Sequence, residues 1–373
     1  MRVTPQIIDL ARSMLANGQD WSPEADKILS GDNSLCLCSY PDGAWIADTH
    51  GEVDMNRWTK LECVIPVPGQ RKAMPIPASR NELLAIAQGD HDASLVRIDD
   101  DCIRQTRWPL DSLRPMVMGL TGAVASSRVG ALSFLIIMTA LNYRFWDVEG
   151  NEIRRYFHQG KTGARALWTS FEDAWGQDNG SPMAFARRLA GEGVTGLFGE
   201  IPDPGSREAI LSELLSGDVV GVSAALSSKI EATLSVTVAD AATLAAEFPW
   251  AFGDPYLKKA QLALSMYSAF LRHCGTEIDA TDLTAFADYQ VPRVLRALGI
   301  LRYSDCLAER VDSGILLPNA SSEERAIRAA TILACERIAA HCMASAADVD
   351  SLLWSSQEVA SDSRFHLTHT TWY

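Results

Sequence analysis

Two proline clusters constrain this chain more than any other feature. Val64-Ile65-Pro66-Val67-Pro68-Gly69 and Pro75-Ile76-Pro77 cannot continue a helix, because proline lacks an amide hydrogen and its ring clashes with the preceding turn. They read as a linker, and the texture changes across them. Residues 1–75 hold one amphipathic helix near 5–15 and two strand-like pieces, 34–39 and 44–48. Pro41-Asp42-Gly43 joins the strands, with Pro presetting φ and Gly admitting positive φ. From Ser79 onward the helical period dominates. Helices are expected at 79–88, 126–143, 163–175, 183–190, 206–216, 239–246, 256–273, 280–289, 292–298 and 323–343. The last carries Ile327, Ala330, Ala334 and Ile338 on one face and Ser321-x-x-Glu324 as a capping box. A short hairpin is expected at 155–162 around Gly160. The fold class is therefore mainly α, with a helical core at residues 76–373 behind a small α/β appendage at residues 1–75.

Charge narrows the ligand. Thirty-three Lys and Arg against 47 Asp and Glu leave a net charge of −14, the wrong sign for gripping the phosphates of duplex nucleic acid. A small soluble ligand, itself able to carry a cation, fits better than a nucleic acid polymer. The most apolar run, 131–141, falls short of the roughly 18–20 residues that cross a bilayer, so it reads as a buried helix and no membrane partner is expected. Eight cysteines without a C-x-x-C pair, and an N-terminus without an unbroken apolar core, suggest a reduced cytoplasmic protein. No phosphate-binding loop, dinucleotide fingerprint or H-E-x-x-H occurs, and His366-x-x-His369 lacks a carboxylate to complete a metal site. Neither a cofactor nor a metal is expected.

Four local constellations remain. Asp279-x-x-Asp282 can cap a helix that Pro292 interrupts, with a second helix starting at Pro292 and ending at Gly299. Asp288 would then stand at a helix junction between Phe286 and Tyr289, either as an ordinary capping aspartate or as a carboxylate reaching a ligand. Lys258-Lys259-Ala260-Gln261 opens an apolar helix, where two cations near a helix N-terminus can hold a phosphate or simply lie along the surface. Asp350 lies four residues before Trp354, a pairing that suits a planar cation as well as a core tryptophan. Asn142-Tyr143-Arg144-Phe145-Trp146 offers a stacking wall or core packing.

Taken together, these segments resemble the queuosine salvage proteins, the queuosine 5′-phosphate N-glycosylase/hydrolases. The resemblance runs from about Ser79 to Tyr373. It includes VRIDD at 96–100, LNYRFW at 141–146, YFHQGKTGA at 156–164 and KKAQ at 258–261. FADYQVPRVLRALGILRYSDCL at 286–307, EERAIR at 323–328, LLW at 352–354 and FHLTHTTWY at 365–373 complete it. It implies a mainly helical fold similar to helix-hairpin-helix DNA glycosylases and release of queuine from queuosine 5′-monophosphate. It implies Asp288 as nucleophile or electrostatic stabiliser of the ribosyl cation. Asp350 would meet the cationic amine of the base, and Lys258 or Lys259 the 5′-phosphate. Phe286 or Trp354 would stack on the base, with Tyr289, Ser351, Ser355, Asp111 and His366 completing the substrate-binding set.

This chain also departs from the family pattern. Asp111 stands where a histidine is expected after Trp108-Pro109-Leu110, Ser355 where an acid is frequent, and Ser351 where Tyr is. Gln290 and Arg293 stand where Arg and Gln are more usual. Those positions surround the implied base pocket rather than Asp288, so N-glycoside cleavage is more firmly implied than the base. Two other readings differ in class. A DNA-base glycosylase would need a Gly-hydrophobic-Gly turn where this chain has Gly299-Ile300-Leu301, and a non-catalytic carrier would bind the nucleotide without cleaving it.

Overall fold

The computed structural model describes residues 35–40, 43–48, 76–110, 127–149, 152–175 and 181–373. The chain divides into two units, Met1–Met74 and Pro75–Tyr373. In the first, β1 (Leu35–Tyr40) and β2 (Gly43–Asp48) pair antiparallel, with Leu35 opposite Asp48 and Tyr40 opposite Gly43. The helix expected near 5–15 and the linker at 64–69 lie outside the described residues.

Side-chain caps start many helices of the second unit, several of them within a residue or two of where the sequence places them. Ser79 accepts the Glu82 amide ahead of α1 (Arg80–Asp90), and β3 (Val96–Ile98) leads into the short α2 (Asp100–Gln105) capped by Asp99. Ser127 accepts the Gly130 amide ahead of α3 (Arg128–Ala140), the apolar run, which is buried from Ala131 through Ala140. Two hairpins follow, β4 (Trp146–Glu149) with β5 (Glu152–Arg155), then β6 (Phe157–His158) with β7 (Lys161–Thr162) turning through Gly160 at φ +77°. Next come α4 (Ala164–Trp175), α5 (Pro182–Glu192), α6 (Val194–Phe198), α7 (Pro204–Ser216), α8 (Val219–Thr233), α9 (Val238–Glu247) and α10 (Pro249–Phe252). The chain closes with α11 (Lys258–His273), α12 (Gln290–Ala297), β8 (Leu301–Tyr303) paired to β3, α13 (Asp305–Asp312), α14 (Ser322–Cys342) and α15 (Ala346–Ser355). Fifteen α-helices against short strand pairs make the described fold mainly α. Among the described residues no single helix is long and apolar enough to cross a membrane.

One core gathers around α3 and α11, and a second lies between α12, α14, α15 and the β3–β8 pair. A smaller aromatic cluster joins Trp146, Tyr289, Phe365, Leu367, Trp372 and Tyr373. Several helices carry too weak a period to be read from sequence. Val219–Thr233, for example, mixes Val, Gly, Ser and Ala all round, and it is Asp218 accepting the Gly221 amide that fixes its start.

The helix expected at 280–289 does not form. Residues 283–288 run without helix or strand into α12, and Pro292 sits within that helix's first turn, where its missing amide hydrogen removes no intrahelical bond. The physical reason is that side chains from distant elements take the backbone groups a helix would have used. Gln261 Oε1 accepts from Thr284 N (2.8 Å), Asp350 Oδ1 accepts from Phe286 N (2.9 Å), and Arg328 Nε donates to Ala287 O (3.0 Å). The capping box at Ser321 is only half made. Ser321 Oγ accepts the Glu324 amide (3.3 Å), while the Glu324 carboxylate turns to Ala320 N (3.2 Å).

Gln261 is fully buried and also donates to Tyr256 O (2.9 Å) and Thr284 Oγ1 (3.0 Å). Gln261→Leu strands several buried polar groups at once and is expected to cost about 2–3 kcal/mol in urea unfolding. A cost below about 1 kcal/mol would mean that those groups find other partners.

Candidate active site

The extended segment before α12 delivers Phe286 and Asp288 into a cavity of about 460 Å³ in the Pro75–Tyr373 unit. That size lies in the range of small-ligand sites. Asp288 Oδ1 accepts from Gln290 N (2.7 Å) and Val291 N (3.0 Å), so the carboxylate caps α12 and lines the cavity at once. The two readings of Asp288 left open by the sequence are therefore both realised. The N-terminal end of α12 and these two amide donors favour negative charge there.

Lys258, Phe286, Asp288, Tyr289, Asp350, Ser351, Trp354 and Ser355 all line this one cavity. Two other expected residues are not among its lining side chains. Lys259 is buried with Nζ donating to Ala140 O (2.7 Å) and lying 4.8 Å from the Tyr143 ring centre, because neighbouring helical positions point about 100° apart. His366 is buried behind the wall, with Nε2 3.2 Å from the Tyr373 hydroxyl. Burial and the nearby Arg328 charge lower its pKa to about 3, so the ring is neutral, and the Tyr373 hydroxyl donates its own hydrogen bond to Glu324 Oε1 (2.9 Å). Asp111 lies outside the described residues.

Two of the departures from the family pattern are one feature. Arg293 NH1 donates to Gln290 Oε1 (3.1 Å), so the exchanged pair makes a contact with each other. Arg293 is otherwise spent on the carbonyls of Ala360, Ser361 and Ser363, while Gln290 reaches the cavity.

Sequence reasoning missed several lining residues. Trp168 on α4 lies with its ring 5.5 Å from that of Trp354, and Arg165 stands 5.3 Å over Trp354. Phe365 packs at 4.8 Å on Tyr289 with Arg155 5.2 Å above it. Trp168 carried no signal, since a tryptophan on an amphipathic helix reads as core. Phe365 and Tyr373 lay in a recognised block but had no role attached.

Charge inside the cavity is unevenly shared. Burial, reinforced by the charge of Asp288, pushes the Asp350 carboxyl up to about 8, against the pull of the Phe286 amide and Lys258. Burial lowers the Lys258 ammonium, while Asp288 and Asp350 pull it back up. Burial and the adjacent Asp288 raise the Tyr289 hydroxyl. Among the described residues no group of three side chains could hold a metal ion. The arrangement therefore presents aromatic faces, one buried lysine and two buried carboxyls of unlike surroundings to a single ligand.

Comparison with known proteins agrees with this geometry. The family model described as queuosine salvage protein matches residues 255–373, which hold Lys258, Asp288 and Asp350. A queuosine 5′-phosphate N-glycosylase/hydrolase of Sphaerobacter thermophilus is 33% identical over 313 residues, covering 75% of this chain and 94% of the relative. Proteins of the same name match from Dictyostelium discoideum, 30% identical over 35% of this chain and 46% of theirs, and Nematostella vectensis, 42% over 22% and 24%. With a relative 33% identical and matched over 94% of its length, and a family-model segment that supplies Lys258, Asp288 and Asp350 to this cavity, the chain belongs to the queuosine salvage protein family.

Proposed function

We propose that this protein hydrolyses the N-glycosidic bond of queuosine 5′-monophosphate, releasing queuine and ribose 5-phosphate in queuine salvage. The observation that carries this reading is Asp288, backed by two amide donors and set among aromatic rings in a nucleotide-sized cavity. Breaking the bond between C1′ and the base leaves positive charge on the ribose, and a carboxylate held in a buried site stabilises it strongly. Asp288 takes this role, as nucleophile or as counter-charge, before water captures C1′. Trp354, Trp168 and Phe286 supply stacking surface for the base. Residues 76–373 form the catalytic domain in this reading. Cys102, Cys274, Cys306, Cys335 and Cys342 are free thiols, which suits a reducing cytoplasm.

Incubation with queuosine 5′-monophosphate tests the reading, with equimolar queuine and ribose 5-phosphate as the expected products. Binding without release would leave a carrier instead of an enzyme. Lys258 is assigned the 5′-phosphate because it is the one of the two lysines that lines the cavity. A charged hydrogen bond of this kind makes kcat/KM about 10- to 100-fold higher for the nucleotide than for the dephosphorylated nucleoside. Lys258→Met is expected to close that gap. A ratio unchanged in the variant would remove the phosphate from Lys258.

A further inference from the structure

We propose that Asp350 is the general acid of this reaction, handing a proton to the departing base while Asp288 faces the ribose. The inference rests on the N-glycoside hydrolysis proposed above and adds a second catalytic residue to it. Asp350 Oδ1 is fixed by the Phe286 amide (2.9 Å), two residues before Asp288 on the same extended segment, so both carboxyls serve one ligand-sized space. Their surroundings differ. Asp288 has two amide donors and the N-terminal end of α12, whereas Asp350 has one donor and sits buried in the body of α15. Two carboxyls in one buried site do not both ionise cheaply, and Asp350 is the one with fewer donors to support a charge.

The groups facing Asp350 from neighbouring elements agree with that division. They are Asp288 ahead of α12, Lys258 on α11 and Cys335 on α14, the last a thiol whose pKa burial and the Asp350 charge raise well above its ordinary value. Arg293 on α12 is committed to backbone carbonyls and to Gln290, and Asp348, on the same helix as Asp350, stands at the exposed rim. With burial and Asp288 raising it to about 8, the Asp350 carboxyl still holds its proton at neutral pH.

The base makes such an acid necessary. Queuine is a 7-deazaguanine, so the purine N7 that accepts a proton in ordinary purine nucleosides is replaced by carbon. As the C1′–N bond breaks, its electron pair moves to the base, and the Asp350 O–H proton passes to a ring nitrogen or carbonyl oxygen of that base. Water then adds to C1′, displacing Asp288 where an ester has formed, and its released proton returns to the Asp350 carboxylate.

In the wild-type enzyme kcat/KM for queuosine 5′-monophosphate is expected to fall about tenfold per pH unit above about pH 8, as the acid is lost. Asp350→Asn is expected to lower kcat on the order of 10²–10³-fold with KM changed only a few-fold, and to lose the alkaline limb. Loss of the limb also separates Asp350 from Lys258, whose deprotonation would persist in the variant. On 4-nitrophenyl ribofuranoside 5-phosphate, whose nitrophenolate leaves without a proton, the variant is expected to stay within a few-fold of wild type. A wild-type profile flat to about pH 9.5 overturns the proposal whether or not the variant folds. A limb retained in Asp350→Asn, or equal losses on both substrates, overturns it too. Wild-type enzyme that releases no queuine would instead refute the proposed substrate, and the aryl riboside would still report on Asp350.

Discussion

Asp288→Asn is expected to leave a folded protein that no longer releases the base. The asparagine keeps an oxygen to accept from Gln290 N and Val291 N, so the start of α12 survives. What it loses is the charge. A neutral amide neither attacks C1′ nor offsets the charge that develops on the ribose, and the loss in single-turnover rate is expected to be on the order of 10⁴. Asp288→Ala removes charge and cap together, adding about 1 kcal/mol of destabilisation to the same kinetic loss. Urea midpoints and rapid-quench assays of both variants therefore separate the two jobs of one side chain. Asparagine activity within tenfold of wild type would end the assignment. A ribosyl adduct trapped on the wild-type protein and absent from the variant would identify the nucleophile rather than a counter-charge.

The same residue shows where sequence reading stops. Helix starts at 80, 128, 182 and 322 were legible because serine caps and a 3–4 spacing are local signals. The 280–289 segment looked equally helical, and its conformation is decided elsewhere, by Gln261, Asp350 and Arg328 reaching its backbone across 23, 64 and 41 residues. No local pattern encodes those ties. The lysine pair shows a smaller version of the same limit. KKAQ announced a cation near a helix start, but only packing of Lys259 under Tyr143 shows that Lys258 is the one facing the cavity. Phe286, Asp350 and Trp354 came together through resemblance to a family, since their spacing alone suited a core equally well. Trp168 had neither a pattern nor a role to mark it.

Arg328 holds that distant architecture in place, and Arg328→Met is expected to be the most destabilising of these substitutions. Its guanidinium is fully buried, with both terminal nitrogens on Asp254 (2.9 and 2.6 Å), Nε on Ala287 O, and Glu324 Oε1 at 3.6 Å. Asp254 in turn accepts from Lys258 N (2.9 Å) and Tyr256 N (3.2 Å), so one fork ties the start of α11 to the residue preceding Asp288. Methionine fills the space between the Tyr256 and Tyr373 rings, 4.7 and 4.5 Å from the arginine, but leaves two carboxylates buried without their cation. Removing one partner from such a pair costs about 3–5 kcal/mol. Lysine does not restore it, because a single ammonium cannot span both Asp254 oxygens and the Ala287 carbonyl. The loss depends on pH. Burial raises Glu324 from its ordinary 4.5 to about 7 even with Arg328 drawing it down. A carboxyl raised on folding binds protons more tightly in the native state, so stability falls as pH climbs from about 4.5 to about 7. Without Arg328 the Glu324 value rises further and the penalty of ionising it grows. The difference in urea unfolding free energy between wild type and Arg328→Met should therefore be larger at pH 7.5 than at pH 5.5. An equal difference at both would show that Glu324 does not feel this arginine. The variant's remaining activity should fall as well, because the carbonyl that sets the direction of Asp288 has lost its anchor.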